Sequence, residues 1–171
     1  FNINREDQDQ FAYTSQQRTA AAQAKGYFAK EIVPVTIPQR KGDPIIIDTD
    51  EHPRASTTLE ALAKLKGVVK ADGTVTAGNA SGINDGAAAL LIASDEAIAQ
   101  YQLKHRAKII AATTVGIEPR IMGFAPAPAI KKLLKQANLT IDQMDVIELN
   151  EAFAAQALAC TRDLGLQDDD V

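Results

Sequence analysis

Residues 76–90 read Thr76-Ala-Gly-Asn-Ala-Ser-Gly-Ile-Asn-Asp-Gly-Ala-Ala-Ala-Leu90, and a second block, Glu148-Leu-Asn-Glu-Ala-Phe-Ala-Ala-Gln156, follows later in the chain. The first block is a run of small residues and short amides that then turns apolar. Gly78, Ala80 and Gly82 put almost nothing in the way of a ligand, so a bound molecule can lie directly against the main chain. From 87 to 93 the run is continuously apolar, as expected of a strand buried on both faces of a sheet. The second block sets a carboxamide, Asn150, between the strand-like run Val146-Ile-Glu-Leu149 and a helical run. A side chain there sits at the carboxyl end of a strand and the mouth of a helix, where α/β proteins bind ligands.

Working outward, Asn4 is placed to cap a helix, with Asp7 three residues on. Phe11, Ala12, Ser15, Thr19 and Ala22 then share one face, and Gly26 supplies the stop. Residues 32–37 predict a strand that Pro34 confines to a sheet edge, because proline cannot donate to a ladder. Residues 44–48 predict a second short strand. Thr57-Thr-Leu-Glu60 reads as a capping box for a helix that turns Leu59, Leu62 and Leu65 inward and is closed by Gly67. Lys70-Ala-Asp-Gly73 predicts a turn. Ser94 predicts the cap of a helix running to about His105, and residues 108–115, rich in β-branched side chains, predict another buried strand. Pro126 and Pro128 suit the first turn of a helix that carries Ile130, Leu133, Leu134 and Ala137 inward. Thr140 with Gln143 makes a further cap, and residues 145–149 predict a strand. A last helix carries Phe153, Ala157, Cys160 and Leu164 on one face and ends at Gly165. Strands alternating with helices through the second half predict a layered α/β architecture.

Of 171 residues, 46% are apolar and 23% charged, enough to build a globular core. A net charge of −4 with no basic stripe argues against nucleic acid and against an anionic membrane surface as partners. One cysteine excludes an internal disulfide framework and a cysteine-rich metal site, and suits a reducing compartment. No apolar run approaches the length that spans a bilayer. His52 and His105 stand too isolated to argue for a metal site. Gly78-x-x-x-Gly82 is neither a P-loop nor a dinucleotide fingerprint, and the two glycosylation patterns, at Asn79 and Asn138, read as accidental in a cytoplasmic chain.

Together the two opening blocks resemble the thiolase family of acyl-CoA acyltransferases, and the resemblance runs through essentially the whole chain. It implies a layered αβαβα fold of the α/β class, incomplete here. Residues 1–82 would form the covering-loop region over the CoA site, 83–105 the end of the N-terminal core, and 106–171 the start of the C-terminal core. It also implies thiolytic cleavage of a 3-oxoacyl-CoA with CoA as cosubstrate, or the reverse Claisen condensation. No permanently bound cofactor and no metal are expected, and the intact protein is expected to be a cytoplasmic homo-oligomer, dimeric or tetrameric. The wording of Asp48-Thr-Asp-Glu-His-Pro-Arg54 is most similar to the bacterial branch acting on 3-oxoadipyl-CoA, with acetyl-CoA acetyltransferase as runner-up.

The family works with a nucleophilic cysteine in its N-terminal third, a Gly-His-Pro histidine, and a second cysteine in a glycine-rich segment. Here His52 lies in Glu-His-Pro-Arg, His105 in Lys-His-Arg and Cys160 in Leu-Ala-Cys-Thr-Arg, which match none of these. The chain, which opens at Phe1, therefore reads as the central piece of a longer protein, inactive alone. The alternative is a thiolase-like protein that binds acyl-CoA or lipid without turning it over.

The resemblance assigns roles residue by residue. Asn150 matches the asparagine that holds a water of the oxyanion hole, a task suited to a neutral group with both a donor and an acceptor. The competing role is that it merely caps the helix after it. Ser81, with the preceding Ala77 and Gly78, matches the segment lying along the pantetheine arm of CoA; alternatively Ser81 and Asn84 only shape a turn. Arg54 matches an arginine that meets the CoA nucleotide, which guanidinium can both stack on and pair with, or else it is simply solvated. Met122 matches a methionine near the acyl pocket, with core packing as the competing role. Phe153 either packs toward substrate or belongs to the helix's core face. Glu151, a base by type, is read instead as a first-turn carboxylate favoured by the helix dipole. Cys160 is read as a buried structural thiol, since a reactive thiolate needs a lowered pKa and no cationic neighbour is evident in the sequence.

Overall fold

A computed structural model of the chain describes residues 1–167, so the last four residues of the expected third segment lie outside the described ones. The described chain divides into two compact units. The first comprises Phe1–Gly82 with Asn150–Ala159, and the second takes Ile83–Leu149 and the chain from Cys160 onward.

The first unit is organised by helix α1, Arg5–Ala24. Asn4 caps it as its sequence position predicts, its Oδ1 accepting from the Asp7 amide at 2.7 Å. At the far end Gly26 adopts φ +70° and sends its amide to Gln23, while the Tyr27 amide reaches Ala22. This left-handed closure is the one glycine makes without a Cβ penalty. The inward side of α1 differs from the apolar face expected. Ala12 is buried, but so are Gln8 and Asp9, whereas Phe11, Ser15 and Thr19 are half-exposed. Polar side chains can occupy a buried face only where hydrogen bonds replace the water they lose. The Gln8 Nε2 finds these partners in the Asn4 carbonyl (2.8 Å) and the Thr74 hydroxyl (3.0 Å), while its Oε1 is buried without one among the described residues.

Strands β1 (Val35–Ile37) and β2 (Ile45–Ile47) pair antiparallel, with Val35 opposite Ile47 and Ile37 opposite Ile45. The ladder starts directly after Pro34, in line with that residue's missing donor. Helix α2 is only Leu59–Ala63, and its cap is Thr58, whose hydroxyl accepts from Ala61 at 3.2 Å. The expected box on Thr57 is thus displaced by one residue. Of the three leucines expected inward only Leu62 is buried, and Leu59 and Leu65 are each 38% exposed. A five-residue helix has little more than one turn with which to present a face. The turn at 70–73 forms, with the Gly73 amide on the Lys70 carbonyl at 3.0 Å.

In the second unit α3, Asp95–Tyr101, is capped by Ser94 as expected but ends four residues early. Gln102 takes a left-handed conformation, φ 50°, and the Leu103 amide folds back on the Ile98 carbonyl at 3.0 Å. The Glu96 carboxyl, bonded to its own backbone amide and to the Ser94 hydroxyl, is held below the usual glutamate value; Glu60, bonded likewise to its own amide and to Thr58, is held low too. A kinked 3-10 run, Pro119–Phe124, leads into α4, Pro126–Ala137, whose first position is proline as the sequence predicts. Thr140 and Gln143 close a reciprocal capping box on the short turn Ile141–Gln143. Helix α5, Ala154–Asp163, gives Ala154–Ala159 to the first unit and its last turn to the second. Cys160 in that turn is fully buried, its thiol 3.7 Å from the Gly123 carbonyl, which is the structural role expected of it.

Three expected strands do not form. Residues 87–93, 108–115 and 145–149 carry no ladder, and Leu90, Leu91, Ile92, Ile109, Ile110 and Val146 are exposed by 70–91%. Their sequences suit a doubly covered strand, but a strand forms only beside another, and no described residue pairs with them. Stretches this apolar and this open are a template for self-association. Light scattering on the isolated chain should therefore show concentration-dependent association, reduced by Leu91→Lys with Ile109→Lys. A monodisperse monomer at tens of micromolar would contradict this.

Candidate functional site

The two sequence blocks meet in the first unit. The Ser81 amide donates to the Ala152 carbonyl at 3.0 Å and the Ala154 amide to the Asn79 carbonyl at 2.9 Å, an antiparallel bridge centred on Ala80 and Phe153. Backbone groups alone make this joint, so the small side chains of residues 77–82 serve close approach of main chain to main chain. Phe153 is 43% exposed and its carbonyl accepts from the amides of Gln156 and Ala157, which makes it the residue from which α5 starts.

That start removes the competing role of Asn150 and corrects the expectation for Glu151. The helix begins at Ala154, so Asn150 lies too far upstream to cap it, and Glu151 precedes the first turn instead of lying in it. Asn150 is exposed and makes no hydrogen bond among the described residues. The Glu151 carboxylate instead accepts from the Ser15 hydroxyl of α1 at 2.6 Å.

Asn79, which in sequence carries only an accidental glycosylation pattern, has both of its polar side-chain atoms engaged. It is 3% exposed. Its Oδ1 accepts from the Thr76 amide at 2.8 Å, and its Nδ2 donates to Asp9 Oδ1 and to the Thr74 carbonyl, both at 3.0 Å. Asp9 in turn pairs with Arg5 at 2.8 Å, and Arg5 reaches the carbonyls of Leu62 (2.7 Å) and Leu65 (3.0 Å) at the end of α2. Gly78 rests on the same two leucines: a Cβ on it would come within 2.4 Å of Leu62 and 2.6 Å of Leu65. The bareness of Gly78 is thus used, on that side, by protein and not by a ligand.

Around this frame lies an open cleft of about 190 Å³. Gly78, Asn79, Ala80 and Ser81 form one wall, and Phe11, Ser15, Gln16 and Thr19 of α1 form another. His52, Pro53, Glu151 and Ala154 complete it. Of the residues singled out from sequence, Gly78 and Ser81 line it directly. Arg54 follows Pro53, with an exposed side chain and an amide that donates to Gln16 Oε1 at 2.7 Å. Ala77 is exposed and does not line the cleft. Met122 belongs to the second unit and is 69% exposed, which leaves its core-packing role unfilled. Among the described residues no cluster of His, Cys, Asp or Glu could hold a metal ion, and no helix is long and apolar enough to cross a membrane.

Comparison with known proteins identifies the family. The family description "Thiolase, N-terminal domain" matches residues 1–96 and "Thiolase, C-terminal domain" matches 103–171. A beta-ketoadipyl-CoA thiolase of Acinetobacter baylyi is 91% identical over 170 residues, which are 99% of this chain and 42% of that protein. The 3-oxoadipyl-CoA/3-oxo-5,6-dehydrosuberyl-CoA thiolase of Escherichia coli is 58% identical over 167 residues, 98% of this chain and again 42% of the relative. Among solved structures, the acetyl-CoA acetyltransferase of Bacillus anthracis superposes with a TM-score of 0.94 at 44% identity, covering 99% of this chain and 43% of that one. Human mitochondrial 3-ketoacyl-CoA thiolase gives 0.91 at 46% identity, over 98% and 42% of the respective chains. The chain belongs to the thiolase family, and its fold is the thiolase-like α/β fold, incomplete. It spans about 42% of the length of the relatives it matches.

The Asn79 cluster generates a stability prediction. It is best measured in a full-length protein made by setting these 171 residues into the matching stretch of the Acinetobacter baylyi relative. Asn79→Ala leaves the Thr76 amide, the Thr74 carbonyl and one oxygen of buried Asp9 without partners, so urea unfolding should lose about 2–4 kcal/mol. Asn79→Asp should cost at least as much, since it sets a second carboxylate against Asp9. A loss under about 0.5 kcal/mol for both would remove Asn79 as the organiser of this region.

Proposed function

We propose that this chain is part of an acyl-CoA acyltransferase that cleaves a 3-oxoacyl-CoA with CoA, and that the substrate is 3-oxoadipyl-CoA. The observation that carries the reading is the backbone bridge that brings Ser81 and the Asn150 segment into one frame beside an open cleft. The names of the Acinetobacter baylyi and Escherichia coli relatives support the substrate. In this reading residues 1–82 lie over the CoA site, 83–105 end the first core half and 106–171 begin the second. CoA is a cosubstrate and not a resident cofactor, and the working protein is a cytoplasmic homo-oligomer.

The chemistry assigns the residues their tasks. Cleaving the bond between the α and β carbons leaves an electron pair on a carbon next to a thioester carbonyl, and the charge moves onto that oxygen. Donors aimed at the oxygen before the charge develops are what lowers the barrier. Asn150 holds the water that serves as one such donor. Its exposed, unengaged side chain leaves both of its polar atoms available for this. Ser81, Ala77 and Gly78 lie along the amide-bearing arm of CoA, Arg54 meets its nucleotide, and Met122 and Phe153 face the acyl group. Cys160, fully buried, takes no part, so the acyl-accepting thiolate comes from residues beyond this chain.

The test uses the same full-length graft. Asn150→Ala should lower kcat for thiolysis about 100-fold or more while leaving the KM for CoA nearly unchanged. Asn150→Asp should be comparably slow because it places negative charge beside the forming oxyanion. A folded Asp variant with near-normal turnover would sink the assignment of Asn150. A folded graft that binds CoA but does not turn over any 3-oxoacyl-CoA would favour a thiolase-like binding protein instead.

A further inference from the structure

Glu151 lies beside Asn150 and is a base by residue type, yet the structure gives it other work. Its carboxylate accepts a 2.6 Å hydrogen bond from Ser15, 136 residues away in sequence, on helix α1. A hydroxyl bonded to an ionised carboxylate is a short and strong pair, roughly twice as strong as a neutral one. Beside it, the Ala152 carbonyl is fixed by the Ser81 amide and the Ala154 amide by the Asn79 carbonyl. Residues 151, 152 and 154 are thus each tied down, whereas the Asn150 side chain has no partner of its own among the described residues. Its position is set by what holds the next residue. The two backbone bonds fix the strand-like stretch from 152 onward, and the Ser15–Glu151 bond is the one that reaches the residue adjacent to Asn150.

We propose that Ser15 and Glu151 form a positioning clamp that fixes where the Asn150 carboxamide points, with Glu151 holding the backbone rather than moving a proton. The inference rests on the oxyanion role proposed for Asn150. Both clamp residues also line the cleft, so the alternative is that they only contact CoA. The two roles separate kinetically. A clamp alters the geometry of the transition state and moves kcat, because misplacing a group by about 1 Å can cost about 100-fold. A cleft contact moves the KM for CoA.

In the full-length graft, Ser15→Ala and Glu151→Ala should each lower kcat about 10- to 100-fold with the KM for CoA within about twofold. The double variant should be no slower than either single one, since both remove the same bond. Glu151→Gln, which still offers an oxygen to Ser15, should recover most of the loss, and a base would not tolerate that change. Thermal midpoints are measured alongside to show that each variant is folded. Near-normal kcat in the Ala variants, multiplicative losses in the double variant, a change confined to KM, or a Gln variant as slow as Ala would each overturn the clamp. Asn150→Ala serves as the control. If it is slow while Ser15→Ala is not, the clamp alone fails; if it turns over normally, the oxyanion reading fails and the clamp falls with it.

Discussion

A carboxamide with less than a twentieth of its surface open, Asn79, spends its oxygen on one loop amide and its nitrogen on a helix carboxylate and a loop carbonyl. Its backbone carbonyl meanwhile receives the first amide of α5. Three stretches far apart in sequence are therefore referenced to one residue: the loop before it, helix α1 through Asp9, and the segment carrying Asn150. Buried amides are expensive unless their capacity is used, and that expense makes the arrangement selective. A loop that shifted by one residue would leave Asp9 facing apolar surroundings with half its partners gone.

From Asp9 the constraint passes on to Arg5 and thence to the carbonyls closing α2. A helix as short as α2 has little stability of its own, and a guanidinium on its last carbonyls supplies what its length does not. Leu62 and Leu65, fixed at that end, then form the floor on which Gly78 rests. The wall of the cleft is held from below by packing and from the side by hydrogen bonds. Its open surface is left to backbone and short side chains.

How much of this could be read from residues depends on how far the deciding partner lies. Most caps and stops are legible, because Asn4, Ser94, Thr140 with Gln143, Gly26 and Pro126 act on atoms within four residues; the exceptions flank α2, which Thr58 caps in place of Thr57 and which ends at Ala63, short of Gly67. The three missing strands are not legible, because an apolar run such as 87–93 records that a strand is wanted and not whether its neighbour is there. Asn79 is silent in the sequence for a related reason: it carries only an accidental glycosylation pattern there, and its partner Asp9 sits 70 residues away. Glu151 reads as a dipole partner only if the helix starts a few residues early; with α5 starting at Ala154 its carboxylate is engaged by Ser15 instead. Where only the family pattern pointed, as with Ser81, the structure supplied a neighbour for its backbone that the pattern did not mention.

The ribbon of β1 and β2 carries three isoleucines in succession on one strand. Identical side chains at adjacent positions hold no record of register, since sliding by one residue exchanges like for like on each face. What stops the slide is punctuation. Pro34 and Pro38 stand immediately before and after β1, and Pro44 immediately before β2. Each removes a donor where another rung would form, so the ladder has fixed ends although its middle is degenerate. The same three imino acids keep the ribbon short and blunt as a template for incoming chains. Residues 87–93 contain no proline, and there the job of closing the edge falls wholly to whatever strand comes to lie beside them.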